Sequence, residues 1–573
     1  MMIFYLSRSL IPMKGFRGLR ITSILKGQKM RKKRILLPLS ILLLVLSVLF
    51  YGSSVKILWA YGQNLYTKMT IFNLILNELQ KSYIEEIDPV DLMEDAIKGM
   101  LSNLDPHTTY LTKEQFENWN QNFEGFSGIG IRFDVIRGKI TVMSVIEEGP
   151  SYREGIQPHD KIIAIEGESA IGIKREDVRK KLMGPSGTRV RVTIEREDWI
   201  KPRDFIITRE RIIIDSIPHA LMLKNDIGYI KIDRFTATTG SELKAAVARL
   251  EAEGMKKLLI DLRGNSGGLM HASVEVANLF LPGVRKIVYK KGRTLSSYEE
   301  YKSKGPALYP TLPLVILIDH ASASASEIVA GAIQDWDRGL IVGEASFGKG
   351  LVQSQINFPD NSALLITTAK YYTPVGRLIQ REYKDKTKEE YYREAYDDST
   401  RKAALANSVK PAFKTMLGRT VYGGGGITPD YEVTSDGTPI SIELRGLLYA
   451  QKPFFATYAE DFIKTHPEFL HQDVNSSETL EHFIESFKVT EQMYSNFKKI
   501  VRELNYNFTD EQFERNRENV KFIIKRELAY KIWGDEGRFR INMLKDTQLI
   551  KAINYFPQAE ILLAASIPHY EMH

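Results

Sequence analysis

Residues 313–336 read PLVILIDHASASASEIVAGAIQDW, and this stretch decides the fold. Its first part is a short apolar run typical of a buried strand, and its second part has the apolar spacing of a helix that begins near Ala325. Ser322, Ser324 and Ser326 lie at the junction. Serine is favoured at helix N-termini, so this pattern alone is explained as well by helix capping as by chemistry.

The same strand-then-helix order continues on both sides of this junction. It favours an α/β layer with a largely parallel sheet, in which active sites lie at the carboxyl ends of the strands. Amides at the start of a helix have no partner within the helix and stabilise developing negative charge. The strand candidates are 227–232, 256–260, 313–320, 339–345 and 363–372, and the helix candidates are 242–254, 271–281 and 325–336.

A lysine lies 25 residues after the middle serine, in Gly348-Lys349-Gly350. A lysine acts as a base only when its pKa is lowered by several units, which requires burial. The flanking glycines let the backbone approach other groups closely. Gln353 would share a face with Lys349 if the chain is extended there, and its amide could then orient the lysine. Taken alone, Lys349 would be a solvated loop residue and Gln353 an exposed strand residue.

A glycine-rich turn, DLRGNSGG at 261–268, follows the strand candidate at 256–260. Glycines at a strand end free backbone amides to point at a ligand, as an oxyanion hole requires, and Gly267 and Gly268 are the candidates. Phosphate binding is the rival interpretation, but neither a Walker spacing nor a dinucleotide fingerprint is present. A plain turn remains open.

The rest of the chain divides into blocks of different character, which predict a multidomain α/β protein. The predicted blocks are a helical N-terminal region at 60–118, a β-rich module at 119–200, an α/β core at 203–435 with a polar insertion at about 383–416, and a helical C-terminal domain at 436–573. The polar insertion is predicted to be either an exposed insertion or a helical excursion. A turn at 105–110 contains His107, which is interpreted as a hydrogen-bonded turn residue.

The charge of the chain is unevenly distributed. The net charge is +7, but residues 1–34 alone carry ten Lys and Arg residues and no acid, so the remainder is slightly acidic. A nucleic-acid-binding body would need basic residues clustered on a folded face, so that function class is excluded. The chain has no cysteine, which excludes disulfides, thiolate catalysis and thiolate metal sites.

A nearly continuous apolar run occupies residues 35–55, directly after a basic block at 31–34. The run is long enough to span a bilayer, and the basic residues place the preceding segment in the cytoplasm. A cleaved signal peptide is the alternative, although Gly52 and Ser54 offer only a weak cleavage site. Met30 is a candidate translation start beside Met1.

Together these segments resemble the carboxyl-terminal processing (tail-specific) serine proteases over residues 70–435. The motifs that carry the resemblance are DPHTTYL (105–111), GFSGIGI (125–131), DLRGNSGG (261–268), SASASEIVAGA (322–332), GEASFGKGLVQ (343–353) and YYTPVGR (371–377). The resemblance implies a crotonase- or ClpP-like α/β core that uses a Ser/Lys dyad and requires no metal or organic cofactor.

The resemblance also assigns roles to individual residues. The implied site residues are Ser324 as nucleophile, Lys349 as general base, Gln353 as its support, and Ala325 with Gly267 or Gly268 as the oxyanion hole. Asp335 matches an aspartate found in some members and is interpreted as structural, because one Ser/Lys pair already supplies nucleophile and base.

The family further implies that residues 119–200 form a PDZ domain that holds a carboxyl-terminal tail. The tail-binding candidates are the amides of Gly128, Ile129, Gly130 and Ile131, with Val178 and Leu182 near the last side chain of the tail. Many members carry an arginine where this chain has Met183, so the resemblance does not carry PDZ-gated control over to this chain.

The implied function is a membrane-anchored endopeptidase on the outer side of a bacterial inner membrane, or an exported one if residues 35–55 are cleaved. Its partners would be proteins or peptides with free carboxyl-terminal tails and the inner membrane, and not nucleic acid. Self-association is left open. The alternatives are a catalytically idle PDZ adaptor and a non-peptidase acyl hydrolase on a similar fold.

Overall fold

The computed structural model describes residues 64–146, 148–196, 199–212, 215–407, 410–434, 440–450, 452–469 and 477–571. The chain divides into two compact units, up to residue 97 and from residue 98 onward. The first unit holds α1 (64–82) and the start of α2 (Pro89–Leu101). Within the described ranges, no helix is long and apolar enough to cross a membrane. The predicted anchor at 35–55 and the basic segment at 1–34 lie outside the described residues.

The β-rich module is an antiparallel sheet with one main helix. The elements up to its end are β1 (Thr109–Leu111), α3 (Lys113–Glu124), β2 (Phe126–Gly128), β3 (Ile131–Ile136), β4 (Lys139–Val145), α4 (Pro150–Arg153), β5 (Lys161–Ile165), β6 (Glu168–Ser169), α5 (Arg175–Leu182), β7 (Arg189–Glu195), β8 (Arg203–Thr208) and β9 (Glu210–Ile212). The sheet order is β3-β4-β5-β7-β8, so β3 is an edge strand. Alternate residues of β7, such as Val190 and Val192, are buried in the module core.

The predicted boundary between 200 and 203 divides a hairpin of this module. β8 pairs with β7 from Arg189↔Thr208 to Ile194↔Arg203, so the sheet extends to residue 208 and the α/β core begins after it. Residues 209–212 then return along β2, which precedes the sheet. Entry and exit of the module are therefore held together by the two-stranded β2–β9 pair.

The second module is the α/β core. Its elements are β10 (His219–Leu223), β11 (Ile227–Lys231), α6 (Thr239–Ala252), β12 (Lys257–Asp261), α7 (Met270–Asn278), β13 (Lys286–Gly292), β14 (Glu299–Lys302), β15 (Leu314–Ile318), α8 (Ala325–Asp335), β16 (Leu340–Gly343), β17 (Leu351–Asn357), β18 (Ala363–Tyr372), α9 (Lys388–Tyr396), α10 (Asp398–Asn407), β19 (Ala412–Lys414), β20 (Thr420–Tyr422) and β21 (Tyr431–Glu432). The main sheet has the order β10-β11-β12-β15-β16-β21, and all its pairs except β10–β11 are parallel. The predicted multidomain α/β fold with a largely parallel sheet is confirmed.

One strand expected in the parallel layer lies elsewhere. β18 belongs to a second, antiparallel sheet of order β1-β18-β13-β14, in which β17 also pairs with β18. A tight turn between β17 and β18, closed by the Phe358 amide on Ser362 O at 2.9 Å, explains the difference. Adjacent parallel strands need a long crossover, whereas a short hairpin forces antiparallel pairing.

The polar insertion is helical, one of its two predicted forms, and it is partly buried and not fully exposed. α9 and α10 occupy it, and Tyr391 on α9 is fully buried against Phe347 and Ala323. The many charged residues around Tyr391 suggested an exposed segment, so its packing could not be predicted from the sequence. The insertion therefore covers the loop that follows β16 instead of projecting into solvent.

The C-terminal segment is helical, as predicted. Its helices are α11 (Ile442–Leu448), α12 (Phe454–Thr465), α13 (Ser477–Ser486), α14 (Glu491–Glu503), α15 (Asp510–Arg515), α16 (Arg517–Met543), α17 (Thr547–Ile553) and α18 (Phe556–Glu571). α11 to α16 enclose an aromatic core of their own. α17 and α18 instead cover the second face of the main sheet, where Leu549 and Phe556 pack with Leu259 and Val315. The predicted boundary at 435–436 thus separates the sheet from two helices that complete its core.

Candidate active site

The three junction serines have different surroundings. Ser322 Oγ donates to Leu262 O and Ser326 Oγ donates to Asn265 O, both at 2.9 Å, and both side chains are buried. Ser324 is half-buried and lines a cavity of about 630 Å³. The structure therefore distinguishes Ser324 from its neighbours, which hold the turn together.

Ser324 has an unusual backbone conformation, with φ 55° and ψ −110°. Positive φ is sparsely populated by residues other than glycine, and such strain concentrates at functional sites. The strained residue lies between the end of β15 and the first turn of α8, and Tyr371 Oη donates to its carbonyl at 3.1 Å. The tight turn presents the serine at the carboxyl edge of the parallel sheet, as predicted for an α/β active site.

A buried carboxylate links the serine to the lysine loop. Glu327 Oε2 accepts from the amides of Ser324 at 2.8 Å and Lys349 at 2.9 Å. Its Oε1 accepts from the Gly348 amide at 2.7 Å and from Ser346 Oγ at 2.6 Å. Burial raises the pKa of Glu327, and these four hydrogen bonds oppose that rise. Glu327 thus joins the backbones on which both candidate catalytic side chains stand.

Lys349 and Gln353 meet, as the spacing predicts. Lys349 lies in the loop just before β17, and its Nζ donates to Gln353 Oε1 at 2.7 Å. Gln353 Nε2 donates to His107 O at 2.7 Å. Because a carbonyl can only accept, this bond fixes the amide so that its oxygen faces the lysine.

The electrostatic surroundings lower the pKa of Lys349. Burial is the main cause, while the negative charges of Glu327 and Asp105 oppose it. The neighbouring His107 ring is buried, and burial together with Lys349 lowers its pKa to about 3. His107 is therefore neutral at physiological pH, and its ring is held by Tyr391 Oη and Tyr392 Oη, both at 3.3 Å.

Two backbone amides near Ser324 have no acceptor within the described part of the chain, those of Gly268 and Ala325. The Gly267 amide is already used, because it donates to Asn265 Oδ1 at 2.8 Å. Neither Gly267 nor Gly268 could be replaced by a residue with a side chain without a steric clash. A Cβ on Gly267 would lie 2.7 Å from Ser324 Cβ, and one on Gly268 would lie 2.1 Å from Phe235 O. Of the two glycine amides predicted for the oxyanion hole, that of Gly268 is the available one.

The cavity beside Ser324 is bounded by both modules. Its lining includes Trp119, Arg211, Gly268, Leu269, Ile328, Lys349, Leu351, Gln353, Leu365 and Tyr371. Arg211 comes from β9 and Trp119 from α3, so the β2–β9 connection to the β-rich module forms one wall. Among the described residues, no three His, Asp or Glu side chains are grouped as metal ligands.

Asp335 lies at the opposite end of α8 from Ser324. Its Oδ1 accepts from Arg377 Nη2 at 2.5 Å and its Oδ2 accepts from the Val375 amide at 3.0 Å. Both partners of this ion pair are fully buried. These contacts fit the structural role that was predicted for Asp335.

The predicted tail-binding residues lie between the end of β2 and the start of β3 and on α5 of the β-rich module. Gly130 has φ +73°, and Ile131 begins the edge strand β3. Val178 and Leu182 are buried in the module core with Ile129. Both side chains are therefore already packed in the core of the module.

Met183 is placed against the loop at Gly128. Its Cγ lies 3.8 Å from the position that a Cβ on Gly128 would occupy. A guanidinium nevertheless lies at this end of α5, because Arg209 Nε donates to Leu182 O at 3.0 Å and Nη2 donates to Lys181 O at 2.9 Å. Sequence reasoning missed Arg209, which comes from a different element.

Two other residues, Glu327 and His107, contribute to the candidate site in ways that were not predicted from the sequence. Glu327 lies three residues after Ser324, a capping-box spacing that could have marked it. His107 is a hydrogen-bonded turn residue, as interpreted, but its carbonyl also holds Gln353, and no sequence signal shows this contact across 246 positions.

Family models match three parts of the chain. They describe peptidase family S41 at 226–388, a PDZ domain at 127–202, and an activating protease CtpB N-terminal domain at 61–115. A carboxy-terminal-processing protease of Bartonella bacilliformis is 36% identical over 323 residues, which cover 56% of this chain and 74% of that protein. The carboxy-terminal processing protease CtpA of Bacillus subtilis is 32% identical over 320 residues, which cover 55% of this chain and 67% of that protein.

Among solved structures, the photosystem II D1 C-terminal processing protease matches with a TM-score of 0.33 and 24% identity, over 67% of this chain and 92% of that one. The family models, the two curated relatives and the grouping of Ser324 with Lys349 agree with one another. The chain therefore belongs to the carboxy-terminal-processing serine proteases of peptidase family S41.

Proposed function

We propose that the protein is an endopeptidase in which Ser324 is the nucleophile and Lys349 is its general base. The observation that carries this proposal is the hydrogen bond from Lys349 Nζ to Gln353 Oε1 at 2.7 Å, in a setting that lowers the pKa of the lysine. A neutral amine that donates one hydrogen to Gln353 keeps its lone pair for the serine hydroxyl. The same bond fixes the direction of that lone pair.

The proposed reaction uses a covalent intermediate. Lys349 takes the proton of Ser324 Oγ as Oγ bonds to the peptide carbonyl carbon, and the amides of Gly268 and Ala325 hold the oxyanion. The Lys349 ammonium then gives its proton to the leaving amine as the C–N bond breaks. Water, deprotonated by the same lysine, hydrolyses the acyl-enzyme and restores Ser324.

Substrates are proposed to be proteins that present a free carboxyl-terminal tail to the PDZ domain. The edge strand β3 supports this, because an extended tail can add to it as a further strand. The glycines at 128 and 130 allow the loop before β3 to approach a carboxylate closely. The β2–β9 wall of the cavity would then lead the chain towards Ser324.

The test is hydrolysis of a fluorogenic peptide by the wild type, Ser324→Ala and Lys349→Ala. Exposed residues on the second sheet provide matched controls, Ser354→Ala and Lys370→Ala. Both site variants should lose activity and both controls should keep it. Hydrolysis no faster than background in all five proteins would support the alternative of an idle PDZ adaptor, and equal hydrolysis above background would show that Ser324 and Lys349 are not the catalytic pair.

The acyl-hydrolase alternative is tested with the substrate. Peptides that end in a free apolar residue should be cleaved faster than the same peptides with an amidated or charged end. A simple ester has no tail for the PDZ domain, so a preference for esters and indifference to the terminus would favour the alternative.

We also propose that the apolar run at 35–55 anchors the chain, with the folded body in the periplasm. The support is the sequence alone, namely the length of the run and the basic block before it. Protease added to spheroplasts should digest the folded body and spare the cytoplasmic N-terminus. Recovery of a shortened soluble form would show cleavage of the segment instead.

A further inference from the structure

The N-terminus of α17, in the C-terminal segment, lies directly behind the glycine-rich turn. Asp546 caps this helix, with Oδ1 accepting from the Leu549 amide at 2.9 Å. Its two oxygens also accept from Arg263, at 2.8 Å from Nη1 and 2.6 Å from Nη2. Arg263 is part of the turn at 261–268, so a remote helix is bonded to it.

Arg263 ties this helix to the end of β12. Its Nη2 donates to Asp261 Oδ2 at 2.6 Å and its Nε donates to Asp261 Oδ1 at 3.0 Å. The Arg263 side chain is only 16% exposed, and Asp261 is buried. Two residues further along the backbone, Asn265 Oδ1 accepts from the Gly267 amide at 2.8 Å, so Arg263 and the two glycines belong to the same short turn and are connected through its backbone.

Gln548 extends the contact to the second catalytic loop. Its Oε1 accepts from Arg263 Nη1 at 3.0 Å, and its Nε2 donates to Glu344 Oε1 at 3.4 Å and Val433 O at 2.8 Å. Glu344 begins the loop that leads to Lys349. The first turn of α17 therefore touches both loops that hold the proposed catalytic groups.

We propose that Asp546 and Gln548 are positioning residues for the oxyanion turn, acting through Arg263, so that the C-terminal segment is a working part of the hydrolase. This inference rests on the proposed function, because it requires the Gly268 and Ala325 amides to hold the oxyanion. A displacement of about 1 Å in a catalytic group lowers turnover by about 10²-fold. Removing the Asp546 carboxylate takes one acceptor from each of Arg263 Nη1 and Nη2, removes the opposite charge on the α17 side and lets the turn move.

The rival interpretation is that these contacts only dock the C-terminal helices on the sheet. A second ion pair provides the control for docking, since Lys257 Nζ lies 2.8 Å from Glu560 at the other end of the same strand, β12. Lys257–Glu560 also joins the sheet to a C-terminal helix, but it is far along the strand from the glycine-rich turn. Docking alone predicts that the two ion pairs are equivalent.

The experiment uses the full chain and compares the wild type, Asp546→Asn, Asp546→Glu, Gln548→Met and Glu560→Gln. The measurements are kcat and KM on one peptide, inhibition by the matching peptide aldehyde, and the melting temperature. The aldehyde forms a hemiacetal with Ser324 whose oxyanion occupies the same amides, so its affinity reports on the turn.

For Asp546→Asn we expect kcat to fall about 10- to 100-fold with KM within about twofold, since transition-state interactions are lost and substrate binding is not. Aldehyde inhibition should weaken by a similar factor. Asp546→Glu should recover part of kcat, Gln548→Met should lose less than Asp546→Asn, and Glu560→Gln should match the wild type.

The proposal is overturned if Asp546→Asn keeps the wild-type kcat, if its loss appears only in KM, or if Glu560→Gln loses as much. If Asp546→Asn has no melting transition, Gln548→Met decides, and an unchanged kcat in that variant overturns the proposal. A wild type no faster than Ser324→Ala would contradict the proposed function itself, and this inference with it, before any C-terminal variant is compared.

Discussion

The serine and the lysine of the site are held in contrasting ways. Ser324 is positioned mainly by its own strand, turn and helix, together with Glu327 three residues later and the neighbouring glycine turn. Lys349 depends on Gln353, whose amide is held by a carbonyl 246 positions away in the sequence. The proposed nucleophile is held mainly by its own strand, turn and helix, whereas the proposed base is held by residues distant in the sequence. Distant substitutions should therefore disturb the base more readily than the nucleophile.

The largest test of this contrast removes the base itself. Lys349→Met keeps the length and apolar stem of the side chain but has no titrating group, so we expect kcat/KM to fall by about 10⁴-fold or more. Peptide hydrolysis checks this, with Lys370→Met, at an exposed position on β18, as the control. Near-normal hydrolysis by Lys349→Met would show that another group takes the serine proton.

The second test breaks the anchor at the far end of α8. Asp335→Ala leaves the Arg377 charge buried without its partner, and this should lower the free energy of unfolding by about 3–5 kcal/mol. Denaturant unfolding measures the loss, and a double-mutant cycle with Arg377→Met should recover part of it. Hydrolysis by the folded fraction should stay within a few-fold of the wild type, since Asp335 contacts neither loop of the dyad. A stable variant without activity would instead assign Asp335 a chemical role.

Much of the fold could be predicted because the spacing of apolar residues along the chain indicates the strands and helices. The parallel strands, the helices between them and the PDZ strands all have apolar patterns of clear period. The position of β18 could not be predicted, because its apolar pattern suits either sheet and the hairpin before it decides the pairing. The packing of α17 and α18 on the main sheet could not be predicted either, because an apolar helix face does not indicate which element it packs against.

The site divides in a similar way. Ser324, Lys349 and Gln353 were predicted from spacing and resemblance, but the choice among the three serines came mainly from the resemblance. The structure adds the physical reason, which is that Ser322 and Ser326 are committed to buried carbonyls. The His107 carbonyl and Arg263 contacts bridge residues far apart in the chain, and a single sequence carries no signal of such pairs.

A third test loosens the base without removing it. Gln353→Met removes the acceptor that orients Lys349 Nζ, and we expect kcat to fall about 10²-fold because general-base catalysis depends on geometry. KM and the melting temperature should change little. Gln492→Met on the exposed face of α14 serves as the control. An unchanged kcat would mean that Lys349 is oriented by other contacts.

The test with the smallest expected effect changes the pKa of Lys349 by removing a nearby charge. The negative charge of Asp105 raises the pKa of Lys349, so Asp105→Asn should lower that pKa further. Activity requires unprotonated Lys349 and falls as the pH drops through its pKa. The acid limb of the kcat/KM profile should therefore move to lower pH, by less than the change produced by burial. An exposed carboxylate variant, Asp360→Asn, should leave the limb in place, and a shift to higher pH in Asp105→Asn would contradict Lys349 as the base.

The backbone of Ser324 has a consequence for how this protein trades durability against activity. Holding a serine at φ 55° costs on the order of 1–3 kcal/mol, which glycine would not incur. The proposed nucleophile is thus also a residue that weakens the fold. Selection of variants for thermal stability alone would therefore favour Ser324→Gly, which should be more stable but unable to hydrolyse peptides. Engineering for stability at this position must therefore include a screen for turnover.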